Sequence, residues 1–66
     1  MAIGVMEGRP VAVAHYDETV RVWDLATGEQ LGPELVFPAD VTELAVAPDG
    51  RLVVGFGHEV AVLSPR

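Results

Sequence analysis

An all-β fold is what this 66-residue chain predicts, and three observations carry the prediction. Val is the commonest residue, and β-branched side chains suit a pleated sheet. Turn-forming clusters recur at short intervals, namely Glu7-Gly8-Arg9-Pro10, His15-Tyr16-Asp17-Glu18, Thr27-Gly28-Glu29, Phe37-Pro38-Ala39-Asp40, Pro48-Asp49-Gly50 and Gly57-His58-Glu59, a rhythm typical of short consecutive strands. No window keeps a helical apolar period for three turns without meeting Gly or Pro.

Between those turns the strands are expected at 2–7, 10–15, 19–25, 30–37, 41–47, 51–57 and 59–64. The second contains the continuous apolar run Val11-Ala12-Val13-Ala14. In the third, Thr19, Arg21 and Trp23 point one way, while Val20, Val22 and Leu25 point mostly the other. That strand is therefore apolar or semi-apolar on both faces, and Ala26-Thr27-Gly28-Glu29 then turns the chain. Asp49-Gly50 is a hairpin signal between the fifth and sixth strands, because Gly accepts positive φ without steric cost. The seventh strand holds a second apolar run, Val60-Ala61-Val62-Leu63. Continuous apolar runs belong to sheets covered on both sides. Every connection is too short for a parallel crossover, so the strands form an antiparallel meander.

The chain also repeats. Gly8-Arg9-Pro10-Val11-Ala12 lies over Gly50-Arg51-Leu52-Val53-Val54 at an offset of 42 residues. Ile3-Gly4-Val5-Met6-Glu7 then lies over Ala45-Val46-Ala47-Pro48-Asp49, and Glu18–Trp23 over Glu59–Leu63 after a one-residue deletion. Such a period falls in the range of about 40–45 residues for a four-stranded propeller blade. "VRVWDLATGEQL" (20–31) resembles the third strand, Trp-Asp signature and following turn of a WD-repeat β-propeller blade, and "VTELAVAPDGRLVVGFG" (41–57) resembles the first two strands of the next. The resemblance makes Trp23, Asp24, Asp49 and Gly50 structural signature residues. It implies a β-propeller fragment: a first blade with strands A to D over residues 1–37, an inter-blade loop at 38–40, and a second, incomplete blade with strands A to C over 41–66. Three departures stand out. The blade-to-blade loop lacks the family's Gly-His pair, and Val13 replaces the Ser or Thr that would bond to that His. Leu63-Ser64 replaces the second Trp-Asp. Packing between blades is then expected to be aliphatic.

Composition narrows the function classes. Net charge is −6, with four Arg and no Lys, so the chain repels phosphate backbones and anionic membranes. No run approaches the roughly 18 apolar residues of a spanning helix, and the N-terminus lacks the basic and apolar regions of a secretion signal. A cytoplasmic location and a GC-rich bacterial genome are the compositional expectations. Cysteine is absent, which removes disulfides and thiolate metal sites. Ser64 is the single Ser and there is no phosphate-binding Gly-Lys-Ser/Thr loop. His15 and His58 fall on different blades, too few for the three or four converging ligands a metal needs. Trp23 reads as a packing anchor rather than a ligand platform. No catalytic residue, metal site or cofactor is therefore assigned, and an enzyme is not expected.

Two blades cannot close a ring, because propellers hold about four to eight. Half of the residues are hydrophobic and mean hydropathy is +0.34. Leaving a blade face uncovered forfeits burial worth on the order of 10 kcal/mol gross at about 25 cal/mol per Å2. The expected product is a protein-interaction scaffold. Its blades are completed by other copies of the chain, three or four in all, with strands possible to exchange between them, or by the remainder of a longer protein. The alternatives are a purely structural or engineered self-assembling blade unit with no external ligand, and the C-terminal piece of a larger bacterial sensor or regulatory protein. In the propellers it resembles, the D–A and B–C loops share a binding face, which by position places His15, Tyr16, Glu18, Asp40, His58 and Glu59 there. Tyr16 is the anchor, since Tyr is enriched at binding hot spots.

Overall fold

Glu7 and Gly8 both adopt positive φ, 49° and 77°, the backbone of a two-residue hairpin turn. In the computed structural model of the chain, which describes residues 1–64, this turn joins β1 (Ala2–Met6) to β2 (Arg9–Tyr16). β3 (Thr19–Asp24) and β4 (Leu35–Val36) complete a four-stranded antiparallel sheet in the order β1-β2-β3-β4. β5 (Val41–Val46), β6 (Leu52–Phe56) and β7 (Glu59–Leu63) form a separate three-stranded antiparallel sheet. The fold is all-β, and two unclosed meander sheets stacked face to face form a partial propeller. Pro65, which has no N–H to donate to a ladder and so suits the end of a strand in the sequence, lies outside the described residues.

Six strands fall within a residue or two of expectation. The fourth does not. A strand over 30–37 was expected, yet only Leu35–Val36 pair with β3, preceded by one isolated bridge between Gln30 and Trp23. The cause is local: Gly32 takes φ +72°, and Pro33 has no N–H to donate to a ladder.

The repeat also needs adjusting. Met6 pairs with Arg9 in the first sheet. Its counterpart is the Ala47–Arg51 pair, in which the Ala47 N–H donates to the Arg51 carbonyl at 2.8 Å. The turn between is Glu7-Gly8 in one sheet and Pro48-Asp49-Gly50 in the other. The offset of 42 thus holds for β2 and β6 but falls to 41 for β1 and β5, so Val5 corresponds to Val46 rather than to Ala47. Gly50 adopts φ +88° and packs against β1, where an added Cβ would lie 3.6 Å from the Val5 carbonyl. A bulge at Thr42 shifts the β5–β6 register near its start.

The core lies between the sheets. Val11, Val13 and Val20 from the first sheet and Leu52 and Val54 from the second are buried, together with Met6 and Val41. All of these are aliphatic side chains or Met, as the sequence implied. The sheets approach most closely where β1 and β2 face β5. At Gly4 a Cβ would stand 2.5 Å from the Val46 Cβ, so only Gly fits that crossing. Toward β4 and β7 the sheets diverge around a groove of about 280 Å3 lined by Val22, Leu31, Leu35, Leu52 and Leu63.

Candidate interaction face

Three main-chain hydrogen bonds tie both sheets together at one end of the molecule. The Val41 N–H donates to the Asp17 carbonyl at 2.7 Å, the Phe37 N–H to the Glu18 carbonyl at 2.8 Å, and the Gly57 N–H to the Asp40 carbonyl at 3.1 Å. The β2–β3 turn, the 37–40 connection and the β6–β7 turn are thereby held side by side. Asp17 takes φ 52° and Gly57 φ 56°. They occupy matching positions in their turns, since Tyr16 pairs with Thr19 and Phe56 with Glu59. Beneath this end, the Phe37 and Phe56 rings meet at 5.1 Å with a 43° tilt, a geometry aromatic pairs favour.

The structure brings Glu18, Asp40 and His58 to these linked turns, with Glu59 beginning the next strand and His15 one residue before the end of β2; all five are exposed. Tyr16 is also exposed, at 78%, but it belongs to a different surface. With His15, Thr19, Arg21, Trp23 and Glu34 it lines a depression of about 350 Å3 on the outward flank of the first sheet. In that depression Arg21 Nε donates to Glu34 Oε2 at 2.9 Å, and the second guanidinium contact is 2.7 Å. Sequence reading missed this ion pair and the Phe37–Phe56 contact. Neither carries a motif, because both join residues on separate elements. Among the described residues no group of three or more His, Asp or Glu side chains gathers as metal ligands would.

The signature residues act locally. Asp24 is buried at 5% exposure and caps the turn that follows it. Its Oδ1 accepts the Ala26 N–H at 2.8 Å and the Thr27 N–H at 3.3 Å, and its Oδ2 lies 3.7 Å from the Arg9 guanidinium. The Gly28 N–H closes the turn on the Asp24 carbonyl at 2.7 Å. Trp23, half-buried, stands on the outward flank opposite Ala12. Asp49 accepts the Arg51 N–H at 3.1 Å and faces its side chain at 3.3 Å.

No family model matches the chain, and no solved structure does. The chain is 39% identical over 46 residues to the Periodic tryptophan protein 2 homolog of Schizosaccharomyces pombe, a WD-repeat protein; the match takes in 70% of this chain and spans 5% of that relative's length.

Proposed function

We propose that this chain is a piece of WD-repeat propeller that serves as a protein-interaction scaffold, completing its ring with other copies of itself. One observation supports this above the rest: each sheet is covered on one flank only and turns an apolar flank to solvent on the other. Ile3 is 69% exposed and Val5 56% on the first sheet, and Val60 70% on the second. Uncovered apolar flanks of this kind mark interaction surfaces. The similarity to a WD-repeat protein agrees with a scaffold rather than an enzyme. On this reading three or four chains supply six or eight sheets. The end carrying His15, Glu18, Asp40, His58 and Glu59 is left for a protein ligand, and Tyr16 is an anchoring side chain on the outward flank of the first sheet instead. No cofactor enters. The net charge of −6 directs the chain away from nucleic acid and anionic membranes, in keeping with a cytoplasmic setting.

Size-exclusion chromatography coupled to light scattering tests the reading. A mass of three or four chains is the expected result, and a stable, cooperatively melting monomer overturns it. A second reading is favoured by the match to 5% of a much longer relative: the missing sheets belong to the same polypeptide. A chain that aggregates alone but folds when joined to flanking sequence would select that reading.

A further inference from the structure

The two sheets are stacked the same way up. Their β1–β2 and β5–β6 turns lie at one end, where Gly50 packs on Val5, Met6 and Glu7. Their β1 and β5 strands lie at one edge, where Gly4 meets Val46, and β4 and β7 lie at the other, across the groove between Leu35 and Leu63. A two-fold axis would oppose identical flanks. This stacking instead opposes unlike ones. The flank of the first sheet that faces the core (Gly4, Val11, Val13) is the counterpart of the second sheet's outward flank (Ala45, Val53). The flank of the second sheet that faces the core (Val46, Leu52, Val54) is the counterpart of the first sheet's outward flank (Val5, Pro10, Ala12). The two exposed flanks are thus related to each other as the two buried ones are.

Resting on the self-assembly reading above, we propose that copies associate head to tail, the outward flank of the second sheet in one copy covering the outward flank of the first sheet in the next. The occupant is a second copy because the required surface is already present on this chain. The shapes agree: the small side chain of the half-buried Ala14 leaves room on one side for the branched Val53, Val60 and Val62 on the other. The charge agrees too. Of the ten acidic residues, most lie in turns at the sheet ends. Asp24 is buried, and on the two flanks Glu34 is paired with Arg21, leaving Glu43. Self-repulsion is therefore weak where the copies meet. The contact is heterologous, so it propagates until a ring closes. Phe56, which packs across the existing sheet pair, is at the offset of 42 the counterpart of Ala14, and Tyr16 stands on the same outward flank two residues further along β2. The protein that Tyr16 anchors is accordingly the neighbouring copy.

Two exposed substitutions test the polarity. Ile3→Arg blocks the first sheet's flank and Val62→Arg the second's, and each new side chain reaches solvent in the single chain. Each variant alone should be monomeric by light scattering. An equimolar mixture should give a 1:1 dimer that grows no further, because each partner keeps one good flank. Homodimers of either variant, or a mixture that stays monomeric while the unmodified chain oligomerises, would overturn the head-to-tail contact and leave self-assembly standing. A monomeric unmodified chain overturns both. Independently of the variants' folding, the cysteine-free chain allows a cross-link. Val5→Cys with Ala45→Cys should oxidise to a ladder of covalent multimers, and either single substitution should not. A dimer from one Cys alone refutes the proposal.

Discussion

Asp24 shows what one buried carboxylate does in a chain with little polar core. It satisfies two N–H groups of the next turn and meets Arg9. Removing it strands those donors in a partly buried place, which costs about 1–3 kcal/mol. Asp24→Ala is expected to lose that much in chemical denaturation, and Asp24→Asn clearly less, because the amide oxygen still accepts. Arg21→Ala should change stability by less than about 1 kcal/mol, since its pair with Glu34 is solvent-exposed. The Trp-Asp pair was legible because a cap is a local device written in adjacent residues. The Phe37–Phe56 stack was not: its partners are brought together by the end-on junction of two sheets, and no spacing announces that.

At the scale of the element, hairpins obey their turn chemistry and the ragged fourth strand obeys Gly32-Pro33. Alternation and turn clusters revealed seven strands and the meander. They overran β4 because Leu31, Leu35 and Phe37 are apolar for a different reason, packing from loop and short strand against the core. The repeat was legible, but its one-residue slip was not, since an extra turn residue is invisible until the pairs are seen. Gly50→Ala places a side chain at φ +88° beside β1, and should cost about 1–2 kcal/mol, measurable as a lowered urea midpoint. The equivalent change in the open Gly28 turn meets no neighbouring atom, so the difference between the two isolates the contact from the backbone strain.

For the whole molecule, the outward flanks set the terms of stability. Leu52 is buried at the centre of the sheet pair, and Leu52→Ala removes about 2–5 kcal/mol from a domain of a size that holds little in reserve. Association adds stability by mass action, so the melting temperature of the unmodified chain should rise with protein concentration, whereas that of Ile3→Arg should not. Gly4 has a geometric consequence of its own. With no methyl there, the inner edges of neighbouring sheets nearly touch while their outer edges splay, and the resulting taper determines how many slices fit around a full turn. A single added carbon at residue 4 would thicken the thin edge and blunt the taper, so that more slices are needed to come round to the start. Gly4→Ala, if it assembles, is therefore expected by native mass spectrometry to form a larger circle than its parent.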